Sequence, residues 1–273
     1  MTPLLEVRDL RVTFATGGGT VRAVDGVSFS IAQGETVALV GESGCGKTVT
    51  ALAMLRLIDP PGHVDPASSI RFEGADVQSL GSSALCAMRG ARLGMVFADS
   101  LAAFDPLLTI GAQIADAIGA HDGGPRAAAD IRAVDMLERT GLPSAAVIAH
   151  RYPHELSGGQ RQRAAIAMAL VLRPALLIAD EPTSALDVTT QAQIIDLLGS
   201  LRAESGTALL LITHDLGVAV AATSRTLVMY AGQIVEDAPT PSIVSAPRHA
   251  FTKTLVDAWP RFGRDHAGPG SPE

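Results

Sequence analysis

Thr36-Val37-Ala38-Leu39-Val40-Gly41-Glu42-Ser43-Gly44-Cys45-Gly46-Lys47-Thr48 decides the fold. A short, mostly apolar run reads as a buried strand, and it leads directly into a loop that fits G-x-x-x-x-G-K-[ST]. Residues 48–57 then read as a helix. Glycines in such a loop let successive backbone N–H groups converge on phosphate oxygens at the positive end of the helix that follows. Lys47 can reach the β- and γ-phosphates of a nucleotide, and the Thr48 hydroxyl is suited to Mg²⁺. Gly41, Glu42, Ser43, Gly44, Cys45, Gly46, Lys47, Thr48 and Val49 are therefore the candidate nucleotide contacts. A Gly-rich turn that binds nothing is the bland alternative, but it does not explain why the whole pattern coincides with a strand-loop-helix setting. Cys45 reads as a small residue tolerated inside the loop.

Two further segments extend the site. Pro174 interrupts a helical pattern, after which residues 175–179 form a second apolar strand ending in Asp180 and Glu181. In a parallel sheet, ligands bind beyond the carboxyl ends of the strands, so this acidic pair is expected to face Lys47 and Thr48. Asp180 suits Mg²⁺ held through a water, and Glu181 suits a general base for the attacking water. Upstream of them lies Leu156-Ser157-Gly158-Gly159-Gln160. Ser157 can cap a helix beginning near Gly158, whose free N–H groups favour an anion. One chain thus offers two phosphate-contacting surfaces.

With these motifs in this order, the chain resembles the nucleotide-binding subunit of an ATP-binding cassette (ABC) transporter over nearly its whole length. Ser184-Ala185-Leu186-Asp187 is similar to the family's D-loop, and His214, after an apolar strand at 208–213, to its switch histidine. The resemblance implies that Ser157, Gly158, Gly159 and Gln160 contact ATP held by a second cassette subunit, and that Asp187 also belongs to the nucleotide-binding set. It implies a catalytic set of Lys47, Glu181 and His214, Mg²⁺ on Thr48 and Asp180, and an aromatic residue stacked on adenine. Phe14 is the positional candidate for that aromatic, with plain core packing as its competitor.

Bulk properties agree without being specific. The 273 residues carry a net charge of −7, which gives no basic footprint for nucleic acid. Hydrophobic residues make up 47% of the chain, yet no apolar run approaches the roughly 18 residues needed to cross a bilayer. The start, Met1-Thr2-Pro3-Leu4-Leu5-Glu6, does not read as a signal peptide. Only Cys45 and Cys86 are present, which suits a reducing compartment and leaves no multi-cysteine metal framework.

Periodicity organises the chain. Residues 5–14 and 21–31 alternate around Gly17-Gly18-Gly19 and read as an antiparallel pair. Residues 70–74 and 93–97 read as further strands. From 107 to 154 the pattern is helical, with Ile110, Ile114 and Ile118, then Ile131, Val134, Met136 and Leu137, broken by Gly123-Gly124-Pro125. A helix at 191–201 and a strand at 227–230 complete a mainly parallel sheet. The resemblance then implies the expected fold: α/β, a P-loop NTPase (RecA-like) core with an N-terminal antiparallel β subdomain and, at the helical stretch, an inserted α-helical subdomain. The expected divisions are 1–97, 98–156 (the helical insertion), 157–260 and a flexible tail at 261–273.

Wording such as Asp180-Glu181-Pro182-Thr183-Ser184-Ala185-Leu186-Asp187 and Ala246-Pro247-Arg248-His249 resembles the dipeptide, oligopeptide and nickel importer ATPases. That implies a second ATPase subunit, two transmembrane permease subunits, an extracytoplasmic substrate-binding protein further off, and a peripheral position on the cytoplasmic face of the membrane. One departure stands out. Where the family places a glutamine after the strand at 93–97, this chain has Ala98. Either water fills the gap, or the site is slow and regulatory beside a more competent partner. Function thus has a leading class, ATP-driven import, and two others: a weakly hydrolysing regulatory subunit, and a soluble ABC-type protein acting on DNA or ribosomes. A generic P-loop kinase or GTPase leaves Leu156 to Gln160 unexplained.

Overall fold

Alternation in the first thirty residues buries one face. In the computed structural model, which describes residues 2–184 and 186–259, β1 (Leu5–Thr16) and β2 (Gly19–Ile31) pair antiparallel. Leu5, Val7, Leu10 and Val12 of one strand and Val24, Val27 and Ile31 of the other are buried. The far edge of β1 takes β4 (Gly62–Val64) and β5 (Ser69–Phe72), and β5 continues to β6 (Ala75–Asp76). These strands form the antiparallel sheet. The tail at 261–273 lies outside the described residues, as does Ala185.

The second sheet is the parallel one. It comprises β3 (Thr36–Val40), β7 (Leu93–Val96), β8 (Leu176–Asp180), β9 (Ala208–Thr213), β10 (Arg225–Tyr230) and β11 (Gln233–Pro239), in the order β11-β10-β3-β9-β8-β7. Only β11 runs antiparallel to its neighbour. Every residue of β3, β8 and β9 is buried, as expected for strands covered on both faces.

Alternate residues of one strand feed different layers. Leu176 and Ile178 join the core shared with the antiparallel sheet and α1 (Lys47–Met54), beside α2 (Ser82–Met88). Leu177 and Ala179 pack with α3 (Ile110–Asp122), α4 (Arg126–Arg139), α5 (Ala145–Ala149), α6 (Gly158–Leu170) and α7 (Val188–Ser205). Ala38, Val40 and Val228 pack with α8 (Leu216–Ala222), α9 (Thr240–Ser245) and α10 (Ala250–Ala258). Among the described residues no helix is long and apolar enough to cross a membrane.

Three local expectations are corrected. Helix α1 stops at Met54, short of 57, because Arg56 turns into the left-handed region at φ 51°. Strand β7 closes at Val96, leaving Phe97 partly exposed. In α4 the buried stripe is Ala129, Ala133, Met136 and Leu137, at helical spacing, so Ile131 falls on the opposite side and is 71% exposed.

Candidate nucleotide-binding site

The phosphate loop is confined by backbone on two sides. A Cβ on Gly41 would lie 2.2 Å from the carbonyl oxygen of Met229 and 2.8 Å from Cys45 Sγ. At Gly46, where φ is +109°, it would lie 2.3 Å from the carbonyl oxygen of Ala23. Neither position admits a side chain. The loop is tied to the turn after β10 and through it to β2: Gly232 N donates to Cys45 O (3.1 Å), and Asp25 N to Gly232 O (2.9 Å).

Lys47 is 4% exposed. Its Nζ donates to the carbonyl oxygens of Gly41 and Glu42 at 2.8 Å each and lies 4.0 Å from Cys45 Sγ. The ammonium is thus held inside the loop that a phosphate would enter. Burial pushes the Cys45 thiol up, against the pull of Lys47, so the sulfur stays neutral and acts as packing beneath Gly41. A cavity of about 140 Å³ opens here, lined by Ala23, Ser43, Gly44, Gly46, Lys47, Thr48, Val49 and Glu181.

Asp180 closes β8 at 1% exposure. Burial raises its carboxyl above the usual range and the Glu181 charge adds to this, while the Thr48 hydroxyl and Lys47 oppose it. Its Oδ1 is buried without a hydrogen-bond partner. Glu181 follows at φ 43°, donates its N–H to Ile212 O (2.9 Å), and holds Oε1 3.3 Å from His214 Nδ1. Lys47, Thr48, Asp180, Glu181 and His214 therefore meet where β3, β8 and β9 end, as the parallel topology requires.

The second Gly-rich segment is a formed helix start that lies elsewhere. Ser157 Oγ accepts from Gln160 N (3.3 Å) and Gln160 Oε1 accepts from Ser157 N (3.0 Å), a reciprocal cap on α6. Gly158 and Gly159 face Leu186 and Thr190: a Cβ on each would come to 3.9 and 3.4 Å of those side chains. Ser157, Gly158, Gly159 and Gln160 are not among the residues lining the cavity at Lys47.

Other expected contacts have structural work. Asp187 caps α7, accepting from Thr190 N (3.0 Å) and Thr190 Oγ1 (2.7 Å), and these donors hold its carboxyl below the usual range. Its D-x-x-T spacing was the available signal for a cap. Phe14 is half-buried on the core beside Gly62 and does not line the cavity. Ala98 is exposed after β7, where Asp99 Oδ1 closes the turn by accepting from Leu101 N (2.9 Å) and Ala102 N (3.2 Å). Sequence reasoning missed Ala23 and Gly232, which contribute only backbone and carry no side-chain signal.

Residues 24–184 match the family model described as ABC transporter, more than half of the chain. The chain belongs to the ABC transporter family. As a cassette of this family it is an ATPase. It is 47% identical over 262 residues to the dipeptide transport ATP-binding protein DppD of Escherichia coli, covering 96% of this chain and 80% of that protein. It is 45% identical over 278 residues to the oligopeptide transport ATP-binding protein OppD of Bacillus subtilis, covering 100% and 77%. Among solved structures, the cassette resembles the dimeric ATP-binding cassette MJ0796 in a post-hydrolysis state bound to ADP and Pi. That match has a TM-score of 0.77 and 28% identity, and covers 86% of this chain and 98% of that one.

Proposed function

We propose that this ATPase drives the import of peptides through a membrane complex, pairing head to tail with a second cassette and docking peripherally on two permease subunits at the cytoplasmic face. The observation that carries the proposal is the crevice where Lys47, Thr48, Asp180, Glu181 and His214 converge at three strand ends. The peptide-transport ATP-binding proteins at 45–47% identity support the cargo class. The helical segment at 98–156 is the part assigned to the permease contact.

In the proposed mechanism, Lys47 exchanges its loop carbonyls for the β- and γ-phosphates of ATP, while the N–H groups opening α1 bind the same oxygens. The donor set beside it is all oxygen, with one buried Asp180 oxygen unpartnered near the Thr48 hydroxyl, which suits a hard divalent cation. Thr48 and Asp180 would hold Mg²⁺, which when bound neutralises phosphate charge. Glu181 takes the proton of the attacking water, and His214 orients the Glu181 carboxylate and reaches the γ-phosphate. Ser157, Gly158, Gly159 and Gln160 supply the capped helix start that completes the partner's site, with Asp187 shaping the same edge and Phe14 offered to the adenine.

Purified chain reconstituted with its permease should hydrolyse ATP faster when a peptide-loaded binding protein is added, and EDTA should abolish turnover. A chain that fails to bind ATP, or a complex whose ATPase ignores peptide, would overturn the reading. Ala98 favours a second reading, a slow regulatory subunit beside a faster partner. Single-turnover rates measured separately for the two cassettes distinguish it.

A further inference from the structure

Glu181 carries two conformational penalties at once. Its φ of 43° lies in the left-handed region that residues with a Cβ avoid, and it precedes Pro182, whose ring pushes the preceding residue toward extended torsions. Such a backbone persists only where its surroundings over-determine it. Strand β9 fixes one side, since Glu181 N donates to Ile212 O. The other side is fixed by two residues so far without a role. Ser184 donates to the Glu181 carbonyl twice, from its N–H (3.1 Å) and from its hydroxyl (3.0 Å). Gln191 Nε2 donates to the carbonyl of buried Thr183 (3.2 Å), which also accepts from Leu186 N (3.3 Å). Gln191 is itself anchored in the first turn of α7, its N–H donating to Asp187 O (2.9 Å).

We infer that Ser184 and Gln191 are positioning residues for hydrolysis, acting within the same chain as Glu181 by locking the 181–184 turn so that the Glu181 carboxylate stays between His214 and the phosphate-loop cavity. Neither side chain lines that cavity. Freed of the clamp, Glu181 relaxes toward the extended torsions that Pro182 favours. Its Cα–Cβ bond then swings, and the carboxylate leaves its place 3.3 Å from His214. The clamp also joins the base to α7, the helix whose Thr190 side chain would lie 3.4 Å from a Cβ on Gly159 at the start of α6. The inference rests on the reading of Glu181 as general base.

Its test is single-turnover ATP hydrolysis with the full chain in excess, so that slow rates remain readable, together with the affinity for a fluorescent ATP analogue and the Tm. Ser184→Ala and Gln191→Met should each lower the hydrolysis rate roughly five- to tenfold, the effect of one neutral hydrogen bond on a barrier. Nucleotide affinity should stay within about twofold, because the phosphate loop is untouched. Ser184→Thr, which keeps the hydroxyl, should restore the rate. In a Glu181→Gln background neither substitution should slow the residual rate further, since the clamp acts through that carboxylate. Wild-type rates in Ser184→Ala and Gln191→Met beside an inactive Glu181→Gln would remove the clamp and leave the base in place. A further loss in the Glu181→Gln background would also overturn the clamp, by assigning these residues another target. Wild-type turnover in Glu181→Gln itself would remove the base, and the clamp with it.

Discussion

His214 Nδ1 stands 3.3 Å from Glu181 Oε1, each residue just beyond the end of one of two adjacent parallel strands. The His214 side chain is mostly solvent-exposed and the contact is long for a hydrogen bond, so it adds little to stability. It leaves the imidazole free to turn toward a phosphate.

Glu181→Gln should therefore keep nucleotide binding and lose turnover by about two orders of magnitude or more, because the amide cannot take a proton while Lys47, Thr48 and Asp180 are untouched. A closed, ATP-loaded dimer should accumulate. Gel filtration with ATP, beside a turnover assay in the assembled complex, reads both effects. Near-normal turnover there would end the assignment of Glu181 as base.

The two half-sites proposed for one chain predict opposite mutational signatures. Ser157→Arg fills the helix start at α6 and should block dimerisation and turnover while leaving the monomer's nucleotide affinity within about twofold. Lys47→Ala should weaken affinity in its own subunit by at least tenfold, since the buried ammonium sits in the phosphate loop. Titration of the isolated chain with a fluorescent ATP analogue separates the two. A large loss of monomer affinity in Ser157→Arg would put that loop in the chain's own site.

Much of this site was legible because close approach and capping leave marks in residue identity. Gly41 and Gly46 sit where a Cβ would strike Met229 O and Ala23 O, and Ser157 with Gln160 makes the reciprocal cap that its spacing announces. The nearest partners of those glycines were not legible, because the closest approaches come from the carbonyl oxygens of Met229 and Ala23, backbone atoms that any residue supplies. One position of helix α4 was misread for a related reason. Its buried stripe contains Ala129 and Ala133, whose weak hydrophobic signal was outweighed by the exposed Ile131. The left-handed Arg56 that ends α1 early carries no glycine to announce it.

Glu236 offers a stability test away from the nucleotide. Its carboxylate, 9% exposed on β11, accepts from Arg248 N (3.0 Å) and His249 N (2.9 Å) ahead of α10. Burial pushes its pKa up, but the N–H donors of His249 and Arg248 and the Arg248 charge help hold it below the ordinary value. A depressed pKa stabilises the fold above the unfolded value of about 4.3, and that contribution is lost as pH falls through the folded value. Glu236→Ala should cost about 1–3 kcal/mol at pH 7 by stranding two N–H groups. The gap in Tm to the wild type should narrow toward pH 3, and a gap that stays constant would mean that the charge is irrelevant.

Ala98 is two residues beyond Val96, and Glu181 is two beyond Ala179, the residue that Val96 pairs with across β7 and β8. A longer side chain at 98 would thus start from the same edge of the sheet as the Glu181 carboxylate. If the lack of a polar group there limits catalysis, Ala98→Gln supplies a carbonyl and an amide able to fix the attacking water in the closed dimer. One recovered transition-state hydrogen bond is worth up to about 3 kcal/mol, and a water already bridging the gap reduces this sharply. The expected result is a gain in turnover of roughly two- to tenfold with ATP affinity unchanged, because the new group acts mainly in the closed state. The comparison belongs in the assembled transporter, where both cassettes and the permease are present. Unchanged or slower turnover there would mean that the neighbours of Ala98 already accommodate it, and the slow-subunit reading would fall.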